Sequence, residues 1–176
     1  MITRFLITWS RFAFSSWVGA AILFVVVGIR EITFEGFESP IRDQLVLLRF
    51  PAYYAFGFAL VGSGLVSLLL ATFLGESNKS CSALKSCGCM RLPIIVALLT
   101  LIIMVVDYMW IYLPLESLIT PPGSPRTPQF ISLHKASMYI NMVHVGLAMV
   151  VAWRLNWPVA PRTASVDVDA SPKVEA

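Results

Sequence analysis

Four apolar runs govern what this chain can fold into: Phe12–Ile29, Ala52–Leu74, Leu92–Leu113 and Phe130–Trp153. Each approaches or exceeds the ~20 apolar residues that a helix needs to cross a bilayer. Hydrocarbon offers no partner for backbone N–H and C=O groups, so a spanning segment must satisfy them within itself. The expectation is an all-α membrane protein, an antiparallel bundle of four transmembrane helices. Composition agrees, with 57% hydrophobic and only 13% charged residues among 176. A soluble domain carries about 25% charged and about 45–50% apolar residues. The same figures exclude disorder over most of the length. A formal net charge of +3 is too small to argue for a nucleic-acid partner; the partner these figures imply is the lipid bilayer.

The fourth run is the most informative. His134, Ser137, Asn141 and His144 follow one another at three, four and three residues, and Ala148 and Ala152 extend the line. On a helix they form one stripe. Polar groups are costly in hydrocarbon, so the stripe should face protein or a water-filled pocket. Asp107 is the one acidic residue well inside a span. If the third helix ends at Leu113, Asp107 lies about 9 Å from that end. His134 and Ser137 enter the fourth span from the same side at about 6 and 10 Å. Asp107, His134, Ser137 and Asn141 are therefore expected to form a polar pocket between the third and fourth helices. A proton, a metal ion or a small polar ligand would fit such a pocket. The competing reading is helix packing, with Asp107 reaching the headgroups. His144 is deeper and turned about 80° from His134.

The remaining segments follow in order. Arg4 and Arg11 precede the first run, as in a signal peptide, but Gly19-Ala20-Ala21 opens onto more apolar sequence. An uncleaved anchor is expected. Ser15 with Gly19, and Ser16 with Ala20, suit close helix contact. Arg30–Arg49 reads as a polar connector that lies partly in the interface as an amphipathic helix. The second run carries small residues at every fourth position, Ala55, Ala59, Ser63, Ser67 and Ala71, with Gly57, Gly62 and Gly64 among them. It is the expected central packing helix. The third run has few small residues and ends in Tyr108, Trp110 and Tyr112. Pro114–Gln129 holds five prolines and reads as a loop without regular helix. The transmembrane domain covers residues 1–157, and 158–176 reads as a disordered tail.

Chemistry is sparse. Cys81, Cys87 and Cys89 could hold a soft metal as thiolates, but their spacing matches no strong signature and the alternative is a set of reduced thiols. Both histidines sit on one helix, so a single chain cannot sandwich a haem between them. No cofactor is expected. The sequence shows no phosphate-binding glycine loop, serine elbow or H-E-x-x-H motif, and a non-enzymatic role is expected. A structural or assembly protein is the alternative to a binding or conducting one. A homo-oligomer is compatible with the pattern.

Several short motifs recur in one order: Trp17-Val18-Gly19, then Arg49-Phe50-Pro51-Ala52-Tyr53-Tyr54, then Leu115-Glu116, then Phe130-Ile131-Ser132-Leu133-His134-Lys135-Ala136-Ser137 with Asn141. Over Arg11–Trp153 the chain resembles the four-span bacterial membrane family of unknown function related to eukaryotic transmembrane protein 205. The resemblance implies the four-helix fold and a bacterial inner-membrane location, and supplies no established chemistry. Pro114 stands where that pattern has an arginine, and the proline-rich loop is long. The cysteine segment is peculiar to this chain.

Four spans leave both termini on one side. That side and the second loop carry eight Lys and Arg residues, the other side five, and the positive-inside rule then favours cytoplasmic termini. Reporter fusions after Trp153 and within the proline-rich loop should label cytoplasm and exterior respectively. Reversed labels would invert the orientation, and same-side labels would change the number of spans.

Overall fold

The computed structural model describes residues 1–77 and 87–157. All of its regular structure is helical. Helix α1 runs Ile2–Thr33, α2 Ser39–Ser77 and α3 Cys87–Val106. The third span continues through a π-helical turn, Asp107–Tyr112, into α4, Leu113–Leu118. Helix α5 runs Pro128–Asn156. Four of these units are long and apolar enough to cross a membrane. The chain is a multi-pass membrane protein built as an all-α bundle of four helices. They pack as a ring, α1 on α2, α2 on α3, α3 on α5 and α5 on α1.

The helices are longer than the apolar runs because polar ends can project from the hydrocarbon. The segment 39–50 is the first three turns of α2 itself, which corrects the expected connector over Arg30–Arg49. Pro51 lies inside that helix and interrupts only one backbone bond. The expected loop over Pro114–Gln129 is corrected at both ends, since α4 begins at Leu113 and α5 at Pro128. Pro114 does not stop the third span. It lacks an N–H and its ring crowds the carbonyl four residues back. The turn before it widens instead, and the Leu113 N–H bonds to the Tyr108 carbonyl five residues earlier. At α5, Thr127 caps the helix by accepting the Phe130 N–H at 3.2 Å, and Pro128 follows where its missing N–H costs nothing.

Helix α2 is the most buried span, as expected of the central packing helix, but its expected ladder of small residues is not the contact. Steps of four residues advance about 40° each around a helix. The ladder therefore drifts from exposed Ala55 and Ala59 to buried Ser67 and Ala71. Gly57 and Gly64, seven apart, stay on one line. A Cβ at Gly57 would lie 2.6 Å from the Trp17 ring, and one at Gly64 would lie 2.9 Å from the Phe14 ring. Two aromatic rings of α1 thus rest where α2 has no side chain. The Ser10 hydroxyl adds a bond to the Gly64 carbonyl at 3.0 Å. Gly19 faces open space and Ser15 is exposed, so this small pair does not bring α1 close. Trp17, Phe14 and Ala13 make that contact.

One end of the bundle is tied by Asp43. This carboxylate is 1% exposed. It accepts the Gly123 N–H at 2.9 Å and pairs with the Arg126 guanidinium. It thereby fastens the loop before α5 onto the start of α2. Arg49 on α2 pairs with Glu31 on α1 at 2.5 Å nearby in the sequence order of that end.

Replacing Gly57 with Leu should lower thermal stability in detergent, by roughly the 1–3 kcal/mol typical of overpacked cores. Ala59→Leu, on the exposed side of the same helix, should melt like the parent. Equal melting of the two variants would remove Trp17 from the helix contact.

Candidate functional site

The polar side chains of the bundle interior converge around Asp107. The π-helical turn opens at this residue, and its carboxyl group is fully buried. Helix α2 supplies Tyr54, whose phenol donates to Asp107 Oδ2 at 2.7 Å. Helix α5 supplies His144, whose Nε2 stands 3.9 Å from the same oxygen. That separation is too long for a hydrogen bond. The Ser137 hydroxyl, also buried, faces both the carboxyl group and the phenol. Beside this group the Tyr53 phenol donates to Asn141 Oδ1 at 3.0 Å and links α2 to α5 across the ring. Helix α1 closes the site with Trp17, whose ring stacks on His144 at 6.2 Å and lies 4.8 Å from Tyr53.

Several polar atoms of this cluster have no hydrogen-bond partner in the protein. They are Asp107 Oδ1, both ring nitrogens of His144, Trp17 Nε1 and the Tyr112 hydroxyl. Buried polar groups in folded proteins are paired in the large majority, and each unpaired one costs about 1–3 kcal/mol. The unpaired Asp107 oxygen, with four further unpaired atoms in the same bundle interior, marks the place as more than a packing contact. Among the described residues, no Lys or Arg belongs to the site. An ionised Asp107 beside a neutral His144 would be an isolated charge in low dielectric, which is costly. Two placements of a single proton avoid it, on the carboxyl group or on the imidazole.

The four residues expected to share a pocket divide. Asp107 and Ser137 meet, and Asn141 joins through the neighbouring Tyr53. His134 does not. It is exposed, and its ring stacks on Phe130 at 5.8 Å. The error was one of depth. With the third span continuing to Leu118, Asp107 lies about 16 Å from its end rather than about 9 Å. His134 lies about 9 Å into α5, Ser137 about 14 Å and His144 about 24 Å. Asp107 therefore passes below His134 and falls between Ser137 and His144. A signal for His144 was present: it lies seven residues from Ser137, only about 20° around the helix. Tyr54 and Trp17 carried no comparable sign, because nothing local tells a pairing tyrosine from a packing one.

Cys81 lies outside the described residues, and Cys87 and Cys89 open α3 with side chains outside the description. Among the described residues no three metal-ligating side chains cluster. Two surface grooves, of about 470 and 350 Å³, lie on the first and third spans, the one including Val26, Arg30 and Phe37 and the other Leu101, Val105 and Trp110, and neither is lined by Asp107, Tyr54, His144 or Ser137.

Tyr54→Phe should remove the bond to Asp107 and strand a buried carboxyl group, at about 1–3 kcal/mol. Tyr139→Phe, on the exposed face of α5, should cost nothing measurable. Denaturation of both variants in mild detergent compares them, and equal stabilities would mean that the phenol does not hold the carboxyl group.

In comparisons with protein-family models, with curated proteins and with solved structures, the chain matches none.

Proposed function

We propose that this chain is a non-enzymatic membrane protein whose core site, Asp107 with Tyr54, His144 and Ser137, binds and exchanges a proton. The observation that carries the reading is the buried carboxyl group with its short phenol bond and an imidazole 3.9 Å away. Intramembrane ionisable residues are expensive and cluster where protons and ions move. Tyr54 bonds to Asp107 directly, His144 stands 3.9 Å away, and Trp17 and Tyr53 pack beside them. Such contact suits a proton, which passes between hydrogen-bonded oxygens and nitrogens, better than a solute that must come between them. A widened helical turn at the same residue supports the reading, since single π turns often occur at functional sites.

The wider setting belongs to the same proposal. The basic-residue distribution supports cytoplasmic termini in a bacterial inner membrane, with the loops 34–38 and 119–127 outside. Membership in the four-span family of the resemblance is part of it too. A second reading has its own support: the Tyr53–Asn141 and Tyr54–Asp107 bonds join helices directly, as a purely structural or assembly protein would require.

Infrared difference spectra between pH steps, taken on protein in mild detergent, separate the two. A carboxylic C=O band that changes with pH and vanishes in Asp107→Asn is the expected result. Superimposable spectra of parent and Asp107→Asn over the whole folded pH range would leave the structural reading in place of the proton site.

A further inference from the structure

The basic residues at the two ends of the bundle are used differently. At the end that holds the loop 34–38, Arg42 donates to the Phe34 carbonyl at 3.1 Å, Arg49 pairs with Glu31, and Arg126 pairs with Asp43. At the end that holds the termini, Arg4, Arg11, Arg91 and Arg154 are exposed. Among the described residues, none of these four makes an ion pair. Their charge is left for a partner outside the bundle.

Two of the four have a definite setting. Arg4 and Arg11 are seven residues apart in α1, so they stand about 20° apart around the helix and about 10 Å apart along it. Ser15 follows one turn after Arg11 on the same side. Its hydroxyl accepts from Asn156 Nδ2 at 3.4 Å, which seats the last turn of α5 beside this face of α1. On the outer surface of that turn Trp153 and Trp157 are 62% and 58% exposed, with ring centroids 5.2 Å apart. The outer seam of α1 and α5 thus carries two arginines on one wall and a stacked tryptophan pair on the other. Neither residues 1–30 nor residues 128–157 include an Asp or Glu, so the two helices supply no carboxylate to offset the arginines.

We propose that this end of the α1–α5 seam binds an anionic phospholipid of the bilayer, with Arg4 and Arg11 on its headgroup phosphate and Trp153 and Trp157 beside its glycerol. The depth fits. The apolar run of α1 begins at Phe12, directly after Arg11, and exposed tryptophans settle at the level of the headgroups. Long arginine side chains reach along the surface while their charged ends stay at the interface. A guanidinium matches a phosphate diester, which it holds through two parallel N–H···O bonds. A headgroup with net negative charge is preferred over a zwitterionic one, because choline would bring a cation to a seam that already has two. The site is separate from Asp107, which lies in the bundle interior.

The test places the full chain in phosphatidylcholine vesicles that contain a brominated lipid, whose bromines quench nearby tryptophan. Brominated phosphatidylglycerol should quench more strongly than brominated phosphatidylcholine at equal mole fraction, and the preference should shrink in high salt. A basic residue near an anionic headgroup favours it about fivefold, so Arg4→Gln combined with Arg11→Gln should remove most of the preference. Arg4→Lys with Arg11→Lys should retain it, because the charge remains. Arg30→Gln with Lys135→Gln, at the opposite end, should leave it unchanged. Equal quenching by the two lipids in the parent would overturn the proposal. Recovery of a preference on deleting residues 158–176 would then assign the seam to this chain's own Asp167, Asp169 and Glu175. A preference that survives the glutamine pair, or that the lysine pair loses equally, would overturn the arginines as its source.

Discussion

A carboxyl group in the middle of a membrane span must be turned away from lipid and given partners, and the rest of this bundle is arranged to meet that requirement. Asp107 fixes the rotation of the third span, because any other setting would expose it to hydrocarbon. Its bond to Tyr54 then fixes α2 against α3, and the Ser137 and His144 face of α5 must turn toward the same point. Three helices take their orientation from one side chain. Apolar surface alone could not do this, since lipid tails solvate leucine as well as another helix does.

The fourth helix is held differently. Helix α1 offers Asp107 no direct bond. It is positioned by shape, with the Trp17 and Phe14 rings lying where Gly57 and Gly64 leave α2 without side chains. The two devices meet at Trp17, which also stacks on His144 and packs against Tyr53. Close packing on one flank and polar pairing on the other therefore enclose the same few residues. Loss of the aromatic contact would open the polar site as well as loosen the bundle.

The fold was legible in the sequence because its main constraint is linear. A run of about 20 apolar residues states its own length and secondary structure, and the four runs gave the four spans. The interior inclination of Asp107 and Ser137 was legible for the same reason, through the cost of placing them in lipid. What could not be read was the depth of one helix against another. That depends on where each helix ends, and Pro114 misleads: it reads as a terminator but sits just after a widened turn that lets the helix continue. One misplaced end shifted Asp107 by about five residues, enough to replace His144 with His134 as its expected neighbour. The ladder of small residues in α2 failed for a related reason, since a strict four-residue repeat drifts around a helix that turns every 3.6 residues.

The widened turn connects these points. With a regular α-helix from Cys87 to Leu118, Asp107 and Tyr112 could not both face inward, and Pro114 would press its ring on the carbonyl four residues back. The π turn resolves the clash and brings both side chains into the bundle. The proline that obscures the depth of the site is thus the residue that shapes it. Proline at this position is tolerated in a membrane only because the neighbouring turn rearranges its backbone bonds, here with the Leu113 N–H bonding to Tyr108. Such a turn is less regular than the helix around it and lies against α5 and α2. Its irregularity sits beside the unpaired Asp107 oxygen and the unpaired Tyr112 hydroxyl, while Asp43 ties the loop end of the bundle and the glycine contacts seat α1 on the middle of α2.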